Sequence, residues 1–213
     1  MQFGDFIVFE GIDGCGKSTM AERFHDYLCS QETDEHRYPV LTCEPYKNGF
    51  GAEIRSLLKR CDGQLSVKTE LLLFEAARAQ HMEDVVFPVI NSGITVICDR
   101  FTDSTVAYQG YAMGANIGDI QTLNTIASGR LIPDIVFWID ADIATCMARS
   151  KKTDSKDMMP RTFYEKCTEY YRDAWLNHRD IGKKCWIRID GDKPANEVLD
   201  QIIQSYNSWK QKN

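Results

Sequence analysis

The segment Gly11-Ile-Asp-Gly-Cys-Gly-Lys-Ser18 has the spacing G-x-x-x-x-G-K-[ST]. Glycines so placed let backbone N–H groups surround a phosphate chain, and a helix starting there turns its positive end toward it. Lys17 can reach β- and γ-phosphates, and the Ser18 hydroxyl can ligate Mg²⁺. The motif follows the apolar run Phe6-Ile-Val-Phe9 and precedes Met20, Phe24, Tyr27 and Leu28, which recur at helical spacing. A glycine-rich turn with a coincidental Lys-Ser is the bland alternative, but strand and helix are both in place. Gly11, Ile12, Asp13, Gly14, Cys15, Gly16, Lys17, Ser18 and Thr19 therefore read as a nucleoside triphosphate site.

Arginines recur along the rest of the chain at Arg55, Arg78, Arg100, Arg149 and Arg161. Two anionic substrates brought phosphate to phosphate need such countercharge. No N-K-x-D base-reading motif of a signalling GTPase occurs. In "ELLLFEAARAQH", Phe74 and Arg78 lie one helical turn apart, so a ring and a guanidinium could stack a base and bond its edge. Core packing for Phe74 and a solvated Arg78 is the competing reading. In "VICDRFTDSTVAYQG", Asp99-Arg100 ends a buried strand, at the sheet edge where open α/β folds bind ligands. An internal salt bridge is the alternative there. Thr105, Tyr108 and Gln109 fall on the helix expected next.

These residues need a frame to converge on. Strands are expected at 6–9, 38–42, 94–98, 135–139 and 185–189. Helices are expected after the phosphate loop and over 53–59, 68–90, 103–112 and 117–128. Further helices run from about Ala141, through Trp175, and over a closing stretch with Val198, Leu199, Ile202, Ile203, Tyr206 and Trp209 on one face. Continuous apolar strands alternating with helices imply an α/β fold with a parallel sheet covered on both faces. The polar segment "RSKKTDSKDMMPR", about 149–161, is a lid candidate within one domain spanning 1–213.

A net charge of -6 over 213 residues offers no broad attraction to nucleic acid. No apolar run approaches the ~20 residues of a membrane helix, and no export signal opens the chain, so a cytoplasmic location is expected. The eight cysteines form no C-x-x-C pair, and free thiols are expected in that compartment. Cys15 is read as packing, with a redox switch as the minor alternative, because a helix N-terminus lowers a thiol pKa.

In order along the chain, "FEGIDGCGKST", "EP…GAEIRSLL", "TELLLFEAARAQH", "DRFTDSTVAYQG", "LIPDIVFWIDAD" and "IDGDKPANEV" resemble the thymidylate kinases. The resemblance implies the three-layer P-loop NTPase fold with five parallel strands and a short lid. It implies transfer of phosphate from ATP to dTMP with Mg²⁺, in a homodimer formed through helix faces such as that over 68–90. Phe74 would stack on thymine, Arg78 would bond its carbonyl oxygen, and Thr105 would lie near the base N3–H. Tyr108 would stand where a ribose 2′-OH would project, with Gln109 a further contact. Arg55 and Arg100 would hold the acceptor phosphate. Asp13 would meet the sugar 3′-OH or organise the magnesium shell, for which Ser18 and Asp99 are the candidate ligands.

Lys17, Arg100, Asp13 and Arg149 are the residues expected to act in catalysis. The attacking group would already be an anionic oxygen, so alignment and charge neutralisation would suffice. A nucleoside kinase would instead need a carboxylate base, and Glu10 and Glu44 keep that alternative open. Residues 12–16 carry no basic side chain, which resembles the bacterial-type arrangement, in which the lid supplies a cation. Arg149, Lys151, Lys152, Lys156 and Arg161 are the candidates, with a solvated charge run the alternative reading. Two segments depart from the family pattern: "DSKDMMPR" stands near the usual lid string, and "CEPYKN" replaces "REPGGT".

Overall fold

Phe137 and Trp138 are successive residues of one strand and so point to opposite faces of the sheet. The Phe137 ring packs 5.3 Å from Phe9 and 5.9 Å from Phe24, whereas Trp138 lies 6.3 Å from both Tyr171 and Trp175. Each such ring taken fully out of water contributes about 2 kcal/mol. Both faces are thereby covered. The computed structural model describes residues 3–34, 37–61, 63–150, 159–178 and 185–212.

Strands β1 (Phe6–Glu10), β2 (Val40–Cys43), β3 (Val96–Asp99), β4 (Ile135–Asp140) and β5 (Cys185–Asp190) form one parallel sheet, ordered β2-β3-β1-β4-β5. Helices α1 (Lys17–Gln31) and α9 (Ala195–Lys210) pack together on one face, and α8 (Arg161–His178) lies on the other. The expected α/β class and five-stranded sheet are present. No helix among the described residues is long and apolar enough to cross a membrane.

Side chains start several helices. Ser66 Oγ accepts from Thr69 N ahead of α3 (Val67–His81), and Asn116 Oδ1 accepts from Asp119 N ahead of α6 (Ile117–Ala127). Asp142 caps α7 (Ile143–Arg149) in the same way. The expected helix over 53–59 lies inside α2 (Gly49–Arg60).

The stretch expected as one helix over 68–90 is instead α3, a π-helical turn (Met82–Val86) and α4 (Phe87–Asn91). Pro88 has no N–H and its ring crowds the carbonyl four residues back. The wider turn, with Phe87 N donating to Met82 O, accommodates it. A second π-helical stretch, Val106–Ala112, continues α5 (Thr102–Thr105) where one helix over 103–112 was expected.

Because the strands are parallel, their carboxyl ends share one edge. Asp99 is in register with Phe9 of β1 and Cys43 of β2. The phosphate loop and Asp99-Arg100 therefore emerge side by side.

Candidate active site

The loop between β1 and α1 wraps tightly. Gly14 has φ 82°, and a Cβ there would meet Cys146 O at 2.0 Å. Only glycine fits. Lys17 is buried, with Nζ 3.4 Å from Ile12 O and 3.8 Å from Asp13 Oδ1. Ser18 Oγ donates to Asp99 Oδ2, while Asp99 Oδ1 is buried with no hydrogen-bond partner among the described residues.

Arg100 leaves β3 with φ 73°, a left-handed conformation rare outside glycine. Its guanidinium donates to Asp13 Oδ1 (2.6 Å), Ser104 Oγ (2.9 Å), Tyr108 Oη (3.1 Å) and Gly11 O (3.4 Å). It also lies 4.8 Å from the Tyr108 ring centroid. The Tyr108 hydroxyl additionally accepts from Asp13 N at 3.1 Å. Burial pushes the Tyr108 pKa well up, against the pull of Arg100, so the phenol stays protonated.

Beside this cluster is a cavity of about 420 Å³. Its walls include Arg55, Phe74, Arg78, Arg100, Thr105, Tyr108 and Gln109, with Asp13 at the phosphate-loop end. All seven residues expected at the acceptor side thus share one space. Gln109 Nε2 donates to Glu70 Oε1 at 2.7 Å on its rim. Leu58 and Lys59 of α2 also line it, one turn beyond Arg55.

Arg78 is buried and bonded to two carboxylates and two neutral acceptors rather than solvated. Its Nε donates to Glu44 Oε2 (2.7 Å), NH1 to Glu75 Oε1 and Asn124 Oδ1 (both 2.6 Å), and NH2 to Thr105 Oγ1 (2.9 Å). Of its five N–H groups, one on NH2 remains. Burial alone would raise the Glu44 pKa, but Arg78 and His81 outweigh it and hold the carboxyl below its ordinary range. His81 in turn spans Glu44 Oε1 and Thr42 Oγ1, at 3.3 and 2.7 Å.

A family model described as thymidylate kinase matches residues 9–202. The chain belongs to the thymidylate kinase family. A thymidylate kinase of Trichodesmium erythraeum is 36% identical over 228 residues, covering 97% of this chain and 98% of that protein. One of Desulfovibrio desulfuricans is 43% identical over 211 residues, covering 96% and 95%. The crystal structure of thymidylate kinase from Ehrlichia chaffeensis superposes with a TM-score of 0.77 at 32% identity, covering 96% of this chain and 99% of that one. The activity is ATP-dependent phosphorylation of dTMP to dTDP.

Within this thymidylate kinase fold, Glu10 and Glu44 are both already engaged. Glu44 is paired with Arg78, and Glu10 is buried and accepts four hydrogen bonds. Both carboxylates are spent on protein donors, and the family's acceptor is a monophosphate, which calls for no carboxylate base.

Arg149 stands apart from the acceptor cavity: its NH1 donates to Gly191 O at 3.0 Å, in the turn after β5. Arg161 pairs with Glu165 on the exposed side of α8. Lys151, Lys152 and Lys156, with most of the lid segment, lie outside the described residues. Of the altered segment "CEPYKN", Cys43, Tyr46 and Lys47 line a separate cavity of about 200 Å³ with Ser18 and Asp99, while Glu44 and Pro45 line the acceptor cavity.

All eight cysteines are free. Burial raises the Cys15 pKa, outweighing Lys17 and the backbone N–H of Lys17. That is the reverse of what a redox-active thiol needs.

Glu75, His81 and Asn124 belong to the hydrogen-bonded network around Arg78, which spacing missed. Glu75 bonds Arg78 within one helical turn, whereas Asn124 reaches Arg78, and His81 reaches Glu44, across distant parts of the chain. The only local hint is that Glu75 and His81 each stand three residues from Arg78 on the same helix.

Proposed function

We propose that the phosphate loop holds ATP, that the 420 Å³ cavity holds dTMP, and that Asp13 and Arg100 join the two at the point of transfer. The observation that carries this is the single cavity in which seven acceptor-side residues meet Asp13 of the loop. Phe74 stacks on thymine, Arg78 gives its remaining N–H to a base carbonyl, and Thr105 sits at the N3–H. Tyr108 occupies the space of a 2′-OH, and Gln109 closes the base end. Arg55 and Arg100 bind the acceptor phosphate.

The attacking oxygen is anionic, so the protein aligns it and neutralises the charge between donor and acceptor. Lys17 follows the β- and γ-phosphates. The donor set at Ser18 and Asp99 suits Mg²⁺, which takes hard oxygen ligands from one or two side chains plus substrate phosphates. The orphaned Asp99 Oδ1 supports that fit. When bound, the ion neutralises phosphate charge. Arg149, with the cations of 149–161, completes the donor side as a lid over a single kinase domain.

The enzyme acts as a homodimer in the cytoplasm, without nucleic acid. Leu72 of α3 and Ile126 of α6 are exposed apolar side chains on two helices that pack together, and they supply the face for a second copy. A coupled ADP-release assay with dTMP, dUMP, UMP and thymidine tests the acceptor site. Release is expected with dTMP and far less with UMP. Release with thymidine alone would exclude a monophosphate acceptor.

A further inference from the structure

Glu10, the last residue of β1, is completely buried, and no cation among the described residues lies within ion-pair distance of it. A carboxylate in that state is costly unless its oxygens are saturated. Here they are. Oε1 accepts from Phe101 N (2.8 Å) and Ser104 N (3.2 Å), and Oε2 accepts from Ser104 Oγ (2.6 Å) and Tyr171 Oη (3.0 Å).

The polarity of these bonds has a consequence. A serine hydroxyl has one proton and two lone-pair sites. Given to Glu10, that proton leaves the oxygen free to accept from Arg100 NH1, at 2.9 Å. The bond to Phe101 N meanwhile pins the backbone directly after Arg100, whose left-handed φ of 73° needs an external restraint. The same two backbone N–H groups begin α5, which has no capping side chain of its own. One carboxylate thus restrains both ends of Arg100, the main chain from Phe101 and the guanidinium through Ser104.

We infer that Glu10 is a positioning residue for phosphoryl transfer, holding Arg100 in its acceptor-binding geometry through Ser104 and the Phe101 amide. The inference rests on Arg100 binding the acceptor phosphate. A glutamine in place of Glu10 keeps the shape but brings an NH₂ into a pocket made of donors. One Glu10 contact is then lost, and Ser104 no longer has a fixed acceptor role toward Arg100.

Steady-state kinetics of the full chain, with each substrate varied in turn, test this on Glu10→Gln, Ser104→Ala and Arg100→Ala, with thermal melts alongside. Glu10→Gln and Ser104→Ala are each expected to lower kcat/KM for dTMP about tenfold or more, while the KM for ATP stays within about twofold. Unchanged dTMP constants in both variants overturn the inference. So does an equal loss toward both substrates with a lowered Tm, which would make Glu10 a structural cap only. If Glu10→Gln does not fold, Glu10→Asp takes its place, because Ser104 bonds Arg100 directly and Ser104→Ala does not isolate Glu10. Arg100→Ala separates the two levels. Unchanged dTMP constants there would overturn the role of Arg100 itself, whereas a loss there with intact Glu10→Gln and Ser104→Ala overturns only the role of Glu10.

Discussion

The Arg100 guanidinium is bonded to Asp13 Oδ1 at 2.6 Å, so the arginine at the end of β3 is tied to the glycine-rich loop between β1 and α1. Asp13 N also donates to the Tyr108 hydroxyl, to which Arg100 donates in turn. Loop, arginine and tyrosine therefore form one closed set.

Asp13→Asn removes the charge from this set with little change of shape. Arg100 loses a charge-assisted bond of the stronger kind. The expected result is a higher KM for dTMP and a kcat lower by about 10- to 100-fold, since misplacement of that order follows small positional errors. Initial rates at saturating ATP with varied dTMP read both constants. An unchanged dTMP profile would show that Arg100 holds its place without Asp13.

Arg78→Ala acts on stability as well as on binding. It leaves Glu44 and Glu75 buried with Arg78 gone, a change that costs about 3–5 kcal/mol when one partner of a buried pair is removed. For a chain of this size that is a fall in Tm on the order of 10 °C. The folded Glu44 carboxyl lies below its ordinary pKa, so its contribution is present above about pH 4.5 and fades as pH falls. The deficit in the variant should hold steady from neutral pH to about 4.5 and shrink only as pH falls below that, in paired melting curves. A weaker dTMP affinity with an unchanged Tm would place the two carboxylates elsewhere than in a charged cluster.

How much of this could be read beforehand depends on how far apart the cooperating residues lie. The phosphate loop is a run of consecutive residues, and Asp99-Arg100 is marked by its place at a strand end, so local spacing exposes both. The acceptor wall was legible because Phe74 and Arg78, and then Thr105, Tyr108 and Gln109, fall on single helical segments. The environment of Arg78 was not. Glu44 and Asn124 reach it from 34 and 46 residues away, and only the register of β2 against β3 and the packing of α3 on α6 bring them in. An arginine on a helix face looks solvated until those partners are placed. Similarly, 68–90 read as one continuous helix, and the π-helical turn that accommodates Pro88 follows from backbone hydrogen bonding that residue periodicity does not show.

Gly14→Ala should abolish tight ATP binding while leaving dTMP binding largely intact. The added Cβ would stand 2.0 Å from Cys146 O, a backbone atom that cannot swing aside, and φ 82° is itself unfavourable for alanine. The loop must shift, and its N–H groups lose their aim at the phosphates. Calorimetric titration with ATP and with dTMP separately should show about tenfold or greater loss for ATP alone. Equal affinity for ATP in the variant would mean that the loop yields without cost.

Burial, reinforced by Asp103, pushes the Glu10 carboxyl up to about 7 from an ordinary value of 4.5, against the pull of Ser104, Arg100 and Phe101 N. Tyr170, Tyr171 and Cys98 are the other titratable groups facing it. Between those two values the folded chain holds a proton that the unfolded chain has released, whose hydrogen bond the Tyr171 hydroxyl can accept by turning its own proton to Ser104 Oγ. The associated stability is present in full below about pH 4.5 and is lost as pH rises through about 7. A shift of that size corresponds to about 3 kcal/mol. Glu10→Gln lacks this term, so its Tm relative to the parent should become more favourable from pH 5 to pH 8, the opposite trend to that expected for Arg78→Ala toward acid. Melting both proteins across that range reads the sign directly, and a difference in Tm that does not vary with pH would place the Glu10 titration outside the window.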